Sequence, residues 1–70
     1  MELSEVKCAL SRRVYIDLDD GEHEYIFNGC TIRLGAKGEY VYSAELQDVK
    51  QPRSVLIADL EKVRTTRRTR

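Results

Sequence analysis

Between Cys30 and Val63 the chain is a succession of short apolar or alternating runs, separated by glycine turns and one proline. The runs are Cys30-Thr31-Ile32-Arg33-Leu34, Glu39-Tyr40-Val41-Tyr42-Ser43-Ala44-Glu45-Leu46 and Ser54-Val55-Leu56-Ile57-Ala58-Asp59-Leu60-Glu61-Lys62-Val63, with Gly35-Ala36-Lys37-Gly38 between the first two. Successive side chains of a strand point to opposite faces, so this rhythm predicts a small, strongly bent antiparallel sheet. At 70 residues the chain makes one domain, and a domain of this size removes only about 60% of its unfolded surface from water. Little interior is left for an enzyme's pocket. A core this small supplies about 3–5 kcal/mol of net stability unless a partner subunit adds to it.

Charge and cysteine content narrow the function classes. Twelve basic and twelve acidic residues cancel, so no global field draws the chain to nucleic acid or to an anionic membrane. The distribution is uneven: residues 1–63 sum to −4, and Arg64, Arg67, Arg68 and Arg70 contribute +4. Cys8 and Cys30 have no short-range pairing, and the first apolar stretch is too short for a signal peptide or a spanning helix. The expectation is a cytoplasmic protein with two free thiols, no membrane association and no small-molecule substrate.

Along the chain, Leu3, Val6 and Leu10 at i, i+3 and i+7 predict a short amphipathic helix over about residues 3–11, with Ser4 as its cap. From Arg13 the period becomes two, with Val14, Ile16 and Leu18 alternating with Arg13, Tyr15 and Asp17, which predicts the first strand. Asn28-Gly29 between two strand-like segments predicts a tight hairpin, with one long strand bent at a glycine bulge as the alternative. Tyr40, Tyr42, Ala44 and Leu46 share one face of the next strand, and Val41, Ser43 and Glu45 share the other. Val55-Leu56-Ile57 reads as a fully buried short strand, and the spacing of Ile57, Leu60 and Val63 as one tight turn. Residues 64–70 have nothing to bury and are expected to be a disordered basic tail.

The clusters that invite chemistry have plain structural readings. Asp17, Asp19, Asp20 and Glu22, with His23 beside them, suggest a cation site. As an EF-hand, however, Gly21 falls at loop position five rather than six and Asn28 falls at position twelve. A solvated turn whose charges deter edge pairing is the expectation. His23 with Cys8 or Cys30 lacks zinc-ligand spacing. No serine or cysteine sits in a nucleophile-elbow or Cys-x-x-Cys context, and the glycines form no phosphate loop. Cys30 reads as a small buried apolar residue. The expectation is a non-enzymatic protein without catalytic, cofactor-binding or metal-binding residues.

Two binding readings remain. For a protein partner or a second copy, the chosen surface is Arg33, Tyr40, Val41 and Tyr42, because aromatic residues and unprotected strand edges suit docking. For single-stranded RNA or DNA, the candidates are Arg12, Arg13, Arg33, Lys37, Arg64, Arg67, Arg68 and Arg70, with tyrosines as stacking platforms.

The pattern from Arg13 to Val63, about five short strands with a one-turn helix before the last, resembles the SH3-like small barrels. It implies a mainly β fold: a five-stranded bent antiparallel barrel over residues 1–63, with the short helix at its start. At residue level, Gly29-Cys30-Thr31-Ile32-Arg33, Tyr42-Ser43-Ala44-Glu45-Leu46-Gln47-Asp48 and Ser54-Val55-Leu56-Ile57-Ala58-Asp59-Leu60 are similar to short proteins of Gram-positive bacteria and their plasmids, phages and integrative elements. That likeness implies an accessory protein of a bacterial mobile element and carries no activity with it. Leu10-Ser11-Arg12-Arg13-Val14, followed by Lys37-Gly38, resembles the carbon storage regulator family, small dimeric β proteins that bind single-stranded RNA loops through paired arginines. The arginine which that family places on its last strand is answered here by Ala58-Asp59.

Overall fold

The computed structural model describes residues 1–67. A 3-10 turn, Leu3–Glu5, runs into a single turn of helix, α1 (Val6–Ala9). Four strands follow: β1 (Arg13–Leu18), β2 (Gly21–Leu34), β3 (Tyr40–Asp48) and β4 (Val55–Asp59), and then a second 3-10 turn, Leu60–Lys62. The strands form one antiparallel open sheet in the order β1-β2-β3-β4. The fold is therefore mainly β, as the alternation predicts. In place of a fifth strand there is one antiparallel bridge, in which the backbones of Tyr15 and Arg64 exchange two hydrogen bonds of 2.8 Å.

The hairpin expected at Asn28-Gly29 is instead a bulge within one fourteen-residue strand. Phe27 pairs with Leu46 and Gly29 with Glu45, so Asn28 is the extra residue. Gly29 does not adopt the positive φ that a tight turn at this dipeptide requires. The insertion reverses side-chain parity: Tyr25 and Phe27 face the core before it, and Cys30, opposite buried Ala44, continues that face after it. The true turn between β2 and β3 is at 35–38, where Gly38 adopts φ 85° and its N–H donates to the Gly35 carbonyl (3.1 Å).

The core is small and centred on Phe27. Val14 and Ile16 come from β1, Tyr25 and Phe27 from β2, Ala44 and Leu46 from β3, and Ala9, Leu60 and Val63 from the helical turn and the C-terminal segment. Phe27, Leu46, Val14 and Val63 are the largest fully buried side chains, each contributing about 1.5–3 kcal/mol of transfer free energy. Cys30 is only half-buried at the margin.

β4 departs from its expected burial. Val55 and Ile57 are 51% and 61% exposed, because they point to the face opposite Leu56 and Ala58, and only that second pair reaches the core. Leu60 and Val63 are buried as the i+3 spacing implies, without Ile57. Ser4 lies inside the first 3-10 turn, and the start of that turn is held by Glu5, whose carboxylate accepts from the Glu2 N–H (2.8 Å). The segment expected to be disordered from residue 64 is paired to β1 at Arg64, and residues 68–70 lie outside the described residues.

Two stability outcomes are expected. Phe27→Ala removes about 3–5 kcal/mol, comparable to the whole stability of so small a domain, so its far-UV circular dichroism at room temperature should be that of a largely unfolded chain. Ser11 follows the helical turn with φ 66°, the only non-glycine residue of positive φ among those described. Relieving that strain with Ser11→Gly should raise stability by about 0.5–1 kcal/mol, read as a higher midpoint in urea.

Candidate functional site

The distal parts of β2 and β3 form an arm that outruns the rest of the sheet, since β4 pairs only with residues 43–47 of β3. On the arm Ile32 lies opposite Tyr42 and Leu34 opposite Tyr40, on the face that Cys30 and Ala44 continue into the core. Among the described residues no other strand covers this end, and Ile32, Leu34 and Tyr40 are 59%, 67% and 67% exposed. Tyr42 is half-buried against the core margin. Beside it, Met1, Leu3 and Leu60 join Tyr40 and Tyr42 in lining a shallow groove.

The docking set chosen from sequence is divided by this geometry. Arg33 and Val41 lie opposite each other on one face of the arm, and Tyr40 and Tyr42 lie on the other. The residues that complete the aromatic face are Ile32 and Leu34. Their alternation with Thr31 and Arg33 was visible in the sequence, but the register placing them opposite the tyrosines was not.

The basic candidates are dispersed, and several are already engaged. On the outer face of β1 and β2, Arg64 reaches Asp17 (2.9 Å) and Glu22 (2.8 Å), while Arg13 (2.7 Å) and Arg67 (3.1 Å) share Glu24. The Arg67 guanidinium also lies over the Tyr15 ring, 5.1 Å from its centroid. The hydrogen bond to Glu22, with the neighbouring charges of Asp17 and Glu22, raises Arg64 further above its already high pKa. Arg12 precedes β1, with its carbonyl accepting from Phe27 N–H, whereas Arg33 and Lys37 sit on the arm and its turn. These three have no ion pair among the described residues. Arg68 and Arg70 lie outside the described residues.

Three of the four acidic residues at this turn are engaged by the protein's own side chains. Asp17 and Glu22 face Arg64, and the His23 Nε2–H donates to Asp20 (2.6 Å), which holds the Asp20 carboxyl below its ordinary value. Among the described residues, no group of three or more histidine, cysteine, aspartate or glutamate side chains is arranged to hold a metal ion. Cys8 is exposed, Cys30 is half-buried and both are free. No helix among the described residues is long and apolar enough to cross a membrane.

The chain matches no protein-family model, no curated protein and no solved structure.

Tyr25 links this charged face to the core. Its burial, followed by the charges of Asp48 and Asp20, raises its phenol above the ordinary value of 10.0. A raised folded-state pKa means that the contribution is fully present below pH 10.0 and is lost as pH climbs through the higher folded value. Stability should therefore decline in alkali. Tyr25→Phe should flatten that decline in urea midpoints measured from neutral pH upward, whereas an unchanged slope would assign the loss to other groups.

Proposed function

We propose that the protein is a small, non-enzymatic binding module that docks on a protein surface, another chain or a second copy, through the aromatic face of its β2–β3 arm. The observation that carries the reading is the exposure of Ile32, Leu34 and Tyr40 on one face, continuous with half-buried Tyr42. A chain with so few apolar side chains gains stability by burying every one it can, and these three lie where its own sheet offers no cover. A flat row of two aliphatic and two aromatic side chains suits hydrophobic docking, since large rigid rings give contact area at low entropic cost. It offers no paired acid and base for catalysis.

The finer architecture in this reading is an SH3-like barrel of five strands. Its support is the Tyr15–Arg64 bridge, which lays the C-terminal segment along the free side of β1, with Leu60 and Val63 capping the core. A cytoplasmic location and an accessory role in a bacterial mobile element rest on the free thiols and the sequence resemblance.

Single-stranded nucleic acid is the competing partner. Arg12, Arg33 and Lys37 favour it by having no ion pair among the described residues. The engagement of Arg13, Arg64 and Arg67 with Glu24, Asp17 and Glu22 weakens it, because counterion release rewards cations that are free to meet phosphates.

Affinity capture with the full chain distinguishes the two. Ile32→Ser combined with Tyr40→Ser should abolish retention of a protein partner, while Arg12→Ala combined with Arg13→Ala should leave it intact. Oligonucleotide binding that falls steeply with salt and is lost in the arginine variant, with the arm variant silent, would reverse the assignment.

A further inference from the structure

The two edges of the sheet are unequally protected. In β1 the outward backbone groups belong to Arg13, Tyr15 and Asp17, since the Arg12 carbonyl turns inward to accept from Phe27 N–H, Tyr15 turns outward to Arg64, and the direction alternates along an antiparallel ladder. Tyr15 is covered by Arg64, and charged residues flank it. On the other side β4 has β3 as its sole strand neighbour among the described strands. Asp48 N–H donates to the Ser54 carbonyl (3.0 Å). The same alternation therefore turns Leu56 and Ala58 towards β3 and leaves the N–H and C=O groups of Val55, Ile57 and Asp59 pointing away from the sheet. This edge holds neither proline nor lysine, and its one charge is Asp59, at the end.

We propose that β4 is a self-pairing edge: a second copy of this chain adds its β4 antiparallel to the first, about a two-fold axis through Ile57. That register is the one in which all the outward groups find partners together, with Ile57 opposite Ile57 of the second copy and Val55 opposite Asp59 in both directions. It covers the exposed Ile57 side chains with each other. Charge selects the same antiparallel sense. Arg53 lies two residues before β4, and Asp59 and Glu61 lie at its end. All three are exposed and have no ion pair among the described residues. The two-fold brings the basic end of each copy to the acidic end of the other, whereas a parallel pairing opposes like charges. Lys62, just past Glu61, softens the acidic end without reversing its sign. A five-residue edge is short of the roughly 1,200–2,000 Å² that stable interfaces bury, so the dimer is weak and concentration-dependent. It stands apart from the arm, which remains free for another partner.

The test is sedimentation equilibrium of the full chain over a wide concentration range, with amide hydrogen exchange at its two ends. The average mass should climb from one copy towards two. On dimerisation the amides of Val55, Ile57 and Asp59 should gain protection, while those of Leu56 and Ala58 are protected throughout. Ile57→Lys, at an exposed position that leaves the core intact, should weaken the dimer at least about tenfold by opposing two like charges across the axis. Arg53→Glu should weaken it as well, and adding Glu61→Arg should restore it. Unfolding midpoints of the monomers serve as the control for folding. A strict monomer at millimolar concentration would overturn the proposal, as would self-association lost in Tyr40→Ser yet untouched by Ile57→Lys. Either result leaves docking through the arm to be decided by its own experiment.

Discussion

One inserted residue organises this molecule. A strand of fourteen residues with strict alternation would carry Tyr25 and Phe27 on the same face as Gly29, Thr31 and Arg33. It would then bury a guanidinium or leave the distal half of the sheet without an interior. Asn28 takes up one position without a partner across the ladder, and the face below Phe27 passes to Cys30, Ile32 and Leu34. The same insertion bends the strand just past Tyr25 and Ile26, the two residues that pair with β1 on one side and with β3 on the other. Core, curvature and the apolar arm all follow from that change of parity.

The strands of strongest alternation were legible before any coordinates: β1 and β3 fall where their periodicity places them, and the turn at 35–38 falls on its two glycines. Asn28-Gly29 was ambiguous for a physical reason, because this dipeptide serves both a tight turn and a bulge, and only the register of the neighbouring strand decides between them. β4 was misread for a related reason. Three apolar residues in succession resemble a strand covered on both sides, but whether cover exists depends on elements far away in sequence. In this sheet the second face of Val55 and Ile57 is open.

The C-terminal cations show the same gap between local pattern and tertiary context. A run of arginines reads as solvated and mobile when only its neighbours are considered. Here Arg64 meets Asp17 and Glu22 across more than forty positions of sequence, and Arg67 meets Glu24 and the Tyr15 ring. Each exposed pair is worth little alone, because water screens it. Their placement beside a backbone bridge and the buried Val63 nevertheless turns them into a clamp on the last segment of the core. Two of the acidic residues that suggested an ion site, Asp17 and Glu22, thus meet the guanidinium of Arg64, and the arginines that suggested phosphate contacts are partly spent on such pairs.

Val63 is wholly buried in the core that β1, β2 and β3 build, and its neighbour Arg64 is bonded to Tyr15. During translation, β1, β2 and β3 therefore wait with an unfilled seat until Val63 has been added and has cleared the ribosome. Until then the unfilled core is open to chaperones and proteases, and the sheet closes over its interior in one step rather than by gradual accretion.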